Sequence, residues 1–323
     1  SVPAAGTVTA APGIGGAQTP DQDRQAVGTD LVNLNVTVTD RAGAYVSGLS
    51  REQFQVFDNG VPQDIAFFSG QESPAMIGIV YDMHPTTVER TRANLNALRQ
   101  FVATLRPEDR YFIVTFNEFG SLVLDFIPTP EQVQTHLSTP SAQGPNSLYD
   151  AVDLAAGKIR ESPFAKRALL VISDGEDHHS QLGYAAVRER IRGFNVQIFS
   201  VTLPVLVSGK SDRWEFEDLT NGSGRRNFLE RTEAALGRAV LDELARSSGG
   251  TAYPEARSAR ELAAVCTQIA YELRKQYSLA FYPTDRSNGN RPHKLLVTVQ
   301  PGERAKGNLS LAYRLSYQLN PRD

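Results

Sequence analysis

An apolar run at 77–80 leads through Tyr81 to Asp82, and the polar set His84-Pro85-Thr86 follows at once. Another run, 168–172, leads through Ser173 to Asp174, with Glu176, Asp177, His178 and His179 close behind. Short apolar runs bounded by turn residues read as buried strands. A carboxylate at the carboxyl end of such a strand stands where open α/β sheets bind ligands. The stretch SAQGPNSLYD at 141–150 enters a helical pattern and brings Asn146 and Ser147 towards the same crevice. Carboxylate, hydroxyl and amide oxygens together are the donor set of a hard cation, Mg2+ or Ca2+. His84 departs from that set, because imidazole suits Zn2+, Ni2+ or Cu2+. With His178 and His179 it raises the alternative of a transition-metal site on the same edge. The competing reading makes His178 and His179 exposed loop residues, and Glu176 and Asp177 acids bonded within their own turn.

The elements that must position these groups alternate in type from about residue 75. MIGIVYD precedes a helical pattern at 88–105 with Leu95, Leu98, Val102 and Leu105 on one stripe. RYFIVTFN and SLVLDFIP follow, joined by a link so short that the second must run antiparallel at the edge. Thr129 and Pro130 open a short helix. Next come a helix at 147–161, the strand RALLVISD, a helix at 183–193 and the strand VQIFSVTLP. A polar, Gly-rich stretch at 205–230 reads as a long loop, and a helix at 232–246 stops at Ser248-Gly249-Gly250. A strand at TAYP and a helix capped by Ser258 and Glu261 complete the series. Such alternation predicts a doubly wound, mainly parallel α/β sheet. In the common strand order 3-2-1-4-5-6 the first and fourth strands are neighbours, which sets Asp82 beside Asp174.

Both chain ends carry a different period. In LVNLNVTVTD the residues Val32, Leu34, Val36 and Val38 share one face, the alternation of a half-buried antiparallel strand. Ser50 and Gln53 form a capping box, and QVFDNGVPQDIAFFS reads as two strands around Asp58-Asn59-Gly60. YSLAFYPT, HKLLVTVQPG and LSLAYRLSYQ restore strand patterning after 277. A sheet of two or three strands is marginal alone. Residues 28–74 and 277–320 are therefore expected to form one small antiparallel β-sandwich, with the α/β unit at 75–276 inserted into it. Residues 1–27, uncharged up to Asp21 and rich in small residues, read as a flexible tail that suits an exported chain.

A formal net charge of -3 in 323 residues gives no reason to expect nucleic acid as a partner. No stretch approaches the length of a membrane span. Cys266, the sole cysteine, lies in a helical pattern and reads as a small buried hydrophobe. NGS at 221–223 fits a short glycosylation pattern that a loop explains as well. The glycine, lysine, serine and histidine signatures of nucleotide-binding and hydrolytic enzymes are not in the chain, so a non-enzymatic role is expected.

In these segments and in this order of elements the chain resembles a von Willebrand factor A domain with its metal-ion-dependent adhesion site. DMHPT at 82–86 stands in place of that family's Asp-x-Ser-x-Ser. GPNSLYD at 144–150 replaces Gly-Gly-Thr-x-Leu-Tyr-Asp, and SDGED at 173–177 carries the final Asp. The likeness runs over 75–276, and LYDAV with VISDGED is its most specific part. The flanking β segments resemble von Willebrand A-related proteins abundant in acidobacteria, which are usually exported. The resemblance implies a site built from Asp82, His84, Thr86, Asn146 and Asp174, rimmed by Ser147, Asp177, His178 and His179. Asp82 and Asp174 would act largely through bound water, and an acidic residue of the partner would complete the coordination. His84 and Thr86 replace serines and Asn146 replaces a threonine, so the implied site is a degenerate one. The expected function is an exported, non-enzymatic adhesion module that binds another protein. The alternative is a structural or assembly subunit, self-associating, with no metal in the site.

Overall fold

Strands buried on both faces need helices on both sides, and the central part of this chain is built that way. The computed structural model describes residues 31–70, 73–83, 88–116, 121–124, 147–203, 222–285, 291–300 and 308–319. His84, Thr86 and Asn146, the tail at 1–27 and the expected helix at Thr129-Pro130 lie outside these residues.

The α/β part contains β5 (Ala75–Asp82), α1 (Val88–Thr104), β6 (Arg110–Phe116), β7 (Ser121–Leu124), α2 (Leu148–Arg160) and β8 (Lys166–Ser173). It continues through α3 (Tyr184–Phe194), β9 (Gln197–Thr202), α4 (Gly222–Ser248), β10 (Ala252–Tyr253) and α5 (Ala259–Lys275). The strand order is β10-β9-β8-β5-β6-β7, which is 3-2-1-4-5-6 counted from β5. All pairs are parallel except β6 with β7, the antiparallel edge that the short link predicts. Every residue of β5 is buried. One face packs Ile77, Ile79 and Leu170 against Leu98 and Phe101 of α1 and Ile269 and Leu273 of α5. The other packs Val80, Leu169 and Val171 against Val152 of α2, Val187 of α3 and Leu241 and Leu244 of α4. Each such side chain, fully buried, contributes about 1.5–3 kcal/mol. Cys266 is buried in the first of these layers, and burial pushes its thiol up to about 12.

Helix α4 starts at Gly222, so the end of the expected 205–230 loop is helical instead. Gly222 and Gly224 fall in the first turn of this helix, and the Arg, Leu, Glu and Ala that follow are good helix formers. Gly222 and Ser223 of the NGS pattern lie in this helix, and Asn221 lies outside the described residues.

The two chain ends form two antiparallel sheets. One has the order β13-β1-β11-β4, from β1 (Val32–Thr39), β4 (Ile65–Ser69), β11 (Tyr277–Phe281) and β13 (Ser310–Ala312). The other is β14-β12-β2-β3, from β2 (Phe54–Asp58), β3 (Val61–Gln63), β12 (His293–Val299) and β14 (Ser316–Tyr317). Leu34, Val36, Phe54, Val56, Tyr277 and Val297 fill the space between them. Asn59 and Gly60, at φ 49° and 84°, make the hairpin turn between β2 and β3. Ser50 N–H donates to Gln53 Oε1 at 2.9 Å, but the helix this box starts is a single 3-10 turn, Arg51–Gln53.

Two strands expected to be continuous are each cut in two. After Gln63 the chain leaves one sheet for the other, and Gln63 pins the corner by exchanging hydrogen bonds with Thr284 at 3.0 and 3.1 Å. After Ala312 it crosses back, turning Arg314 inward to donate to the carbonyls of Asn33 and Arg192. A small closed sandwich needs such corners. Asp58, His293 and Tyr317 form a buried polar cluster across β2, β12 and β14.

The α/β part leaves the sandwich after β4 and returns into β11, and these two strands pair with each other. Its entry and exit are therefore adjacent, the arrangement that tolerates an inserted unit. The sandwich meets the α/β part through Asn35, whose Nδ2 donates to Ala165 O at 3.4 Å and whose carbonyl accepts from Gln197 Nε2 at 3.5 Å. Glu272 of α5 accepts from Thr37 of β1 at 3.4 Å and from Tyr253 at 2.9 Å. Ala165 and Gln197, which meet Asn35, lie at the amino ends of β8 and β9, so the carboxyl ends of those strands face away from this contact.

Candidate functional site

The register Tyr81↔Ile172 between β5 and β8 sets Asp82 opposite Ser173, with Asp174 one residue beyond the strand. Both aspartates are buried, as is Ser173. Ser173 Oγ donates to Asp82 Oδ2 at 2.8 Å and accepts the Gly175 N–H at 3.0 Å. One hydroxyl thus ties the end of β5 to the loop that leaves β8. Asp174 Oδ1 accepts the Glu176 N–H at 3.0 Å, a turn closed by its own acid. Burial and the charge of Asp174 hold the Glu176 carboxyl above its usual range, with Glu233 adding to the effect. Negative charge is therefore concentrated on this edge, where a cation would relieve it.

The loop after Asp174 is bolted to the start of α2. Ser147, the N-cap residue, makes no capping hydrogen bond with its side chain, so the first N–H groups of α2 look elsewhere. Asp177 Oδ1 accepts the Tyr149 N–H at 3.2 Å and Ser180 Oγ–H at 2.5 Å, and Ser180 Oγ accepts the Asp150 N–H at 3.2 Å. In return the Asp150 carboxylate accepts the N–H groups of Gln181 at 2.8 Å and Leu182 at 3.0 Å. The acids cap each other's segments.

This geometry sorts the expected residues. Asp82 and Asp174 come together at adjacent strand ends. Ser147 is buried beneath the rim, and one oxygen of Asp177 already accepts two hydrogen bonds. His178 and His179 are exposed, with His178 Nε2 3.3 Å from Glu176 Oε2. Among the described residues no three His, Cys, Asp or Glu side chains are grouped to hold a metal. Two buried carboxylates from neighbouring strands fit the oxygen preference of a hard cation.

Ser173 and Gly237 are functional candidates that sequence reading missed. Ser173 sits between an apolar run and Asp174, where a lone hydroxyl shows no partner in the sequence. Gly237 had a signal, since a glycine inside a helix costs about 1 kcal/mol against alanine and asks for a reason.

No family model and no curated protein matches the chain. Among solved structures it is similar to an aerotolerance-related membrane protein from Bacteroides fragilis, at 18% identity over 62% of this chain and 100% of that one, with a TM-score of 0.42. It is similar to von Willebrand factor type A from Catenulispora acidiphila, at 11% identity over 85% and 75% of the two chains, TM-score 0.46. It is also similar to proximal thread matrix protein 1 from the mussel byssus with a zinc-occupied MIDAS motif, at 10% identity over 63% and 48%, TM-score 0.42. Among the described residues no helix is long and apolar enough to cross a membrane.

Proposed function

We propose that this chain is an exported, non-enzymatic binding module that recognises a protein partner through the carboxyl-end crest of its α/β sheet. The observation that carries the reading is the pairing of β5 with β8, which sets Asp82 and Asp174 side by side at that crest. The sandwich contacts the amino-end side of β8 and β9, which leaves the opposite, carboxyl-end side as the face for a partner. We take residues 28–74 and 277–320 as the sandwich domain, 75–276 as the binding domain and 1–27 as a tail.

In this reading a divalent cation, Mg2+ or Ca2+, is held by Asp82, Asp174, Thr86 and Asn146, with His84 weakening or altering the preference. A bound cation supplies a positive centre to which a carboxylate of the partner can attach. Ser173 keeps Asp82 oriented, and the loop clamp between Asp150 and Asp177 keeps the rim in place.

Elemental analysis of the purified protein before and after chelation tests the cation, with Asp174→Ala as the comparison. Metal retained by the wild type, lost on chelation and lost in Asp174→Ala supports the reading. The same low content in all three samples overturns it. Self-association unaffected by chelator would favour the assembly reading instead.

A further inference from the structure

Gly175 and Gly237 meet backbone to backbone. Gly175, at φ +87°, makes the turn directly after Asp174, and a Cβ built on it would lie 2.3 Å from Gly237 O. A Cβ on Gly237 would lie 2.7 Å from Gly175 C and 2.9 Å from Asp174 O. No side chain fits at either position, and neither backbone offers a flexible group that could move aside. Glycine inside a helix forfeits stability relative to alanine, so its place in α4 calls for a compensating contact. This contact supplies one.

Gly237 also marks where α4 leaves the body of the protein. Beyond it towards the C-terminus, Leu241 and Leu244 are fully buried in the core. Before it, Thr232, Glu233, Ala235 and Leu236 are exposed, Leu236 at 62%. The helix begins at Gly222, so at 1.5 Å per residue roughly 22 Å of α4 precedes the contact. The exposed part of α4 thus adjoins its contact with the loop that carries Asp174.

We propose that α4 is a working part of the crest. Gly237 is a positioning residue that sets the 174–177 loop through the close approach of its backbone to Gly175. A shift of α4 displaces Asp174, and engagement at Asp174 is transmitted to α4. The proposal rests on the crest being the binding face, but the coupling is measured without any ligand.

The test is Gly237→Ala in the full chain, with Gly250→Ala as the control. A Cβ on Gly250 would lie 2.1 Å from Ile198 O, a tighter clash near the start of β9. Hydrogen exchange is followed by mass spectrometry over 174–182, and Mn2+ binding is measured by calorimetry. Both variants are expected to melt earlier. Only Gly237→Ala should speed exchange over 174–182, by about tenfold or more, and weaken Mn2+ binding. Leu241→Ala, which loosens α4 one turn further along without adding an atom, should speed the same segment if Gly237→Ala fails to fold. Wild-type exchange over 174–182 in Gly237→Ala, or an equal rise in the control, overturns the coupling. A wild-type protein that ignores Mn2+ counts against the binding face alone, and exchange still decides the coupling.

Discussion

The Ser173 hydroxyl donates to Asp82 Oδ2 at 2.8 Å while taking the Gly175 N–H at 3.0 Å. The two strand ends that carry the candidate site are therefore joined through one buried oxygen. Ser173→Ala removes the donor to Asp82 and the acceptor for Gly175 together. The expected loss is about 1–3 kcal/mol, since buried polar groups are left with fewer partners. Urea unfolding measures it, and a change below about 0.5 kcal/mol would mean the hydroxyl carries no special role.

Asp150 belongs to a reciprocal clamp, so its removal should be felt outside its own helix. Asp150→Ala strips the acceptor from Gln181 N–H and Leu182 N–H. A cost of about 0.5–2 kcal/mol is expected, as for other capping acids. Combined with Asp177→Ala, the two losses should fall short of additive by at least about 0.5 kcal/mol. Strict additivity in a double-mutant cycle would dissolve the clamp.

Glu272 makes stability depend on pH. Burial raises its carboxyl, and the hydroxyls of Tyr253, Thr251 and Thr37 offset part of that rise. The folded protein therefore holds a proton that the unfolded chain has already released. That contribution is full below the usual carboxylate pKa and is lost as pH climbs through the raised folded value. Glu272→Gln should flatten this fall while keeping an acceptor for Tyr253. Urea midpoints taken across the acidic range in both proteins decide it, and parallel curves would refute the assignment.

His293 holds the sandwich corner. Its Nδ1 lies 2.9 and 3.0 Å from the oxygens of Asp58, a contact in which an Nδ1–H donates and the carboxylate accepts. Tyr317 OH donates to the same carboxylate at 2.8 Å. His293→Phe keeps ring volume but deprives a buried carboxylate of a donor, at about 1–3 kcal/mol. Tyr317→Phe should cost less, about 1 kcal/mol, because Tyr317 reaches one oxygen of Asp58 whereas His293 Nδ1 lies within reach of both. Reversal of that ranking in thermal unfolding would show that Tyr317, rather than His293, is the main partner of Asp58.

Much of the α/β architecture was legible because its signals are local. Alternating strand and helix periods, with an acid closing 77–80 and another after 168–172, already imply a doubly wound sheet with Asp82 near Asp174. The antiparallel edge at β7 follows from a link too short for a crossover. The alternation of Val32 to Val38 likewise announces a half-buried strand.

What only the tertiary structure decided involves partners far apart in the chain. The breaks between β3 and β4 and between β13 and β14 follow from sheet closure, with Gln63 held by Thr284 and Arg314 turned towards Asn33 and Arg192. Local period cannot announce a corner, since residues on both sides keep strand patterning. Ser173 matters because Asp82 lies opposite it in the folded sheet, and Gly237 because Gly175 leaves no room for a Cβ. The sequence alone settles which segments can be strands or helices, because propensity and burial period act between near neighbours. Which strand end faces which helix depends on packing, where close contact between distant residues outweighs local preference.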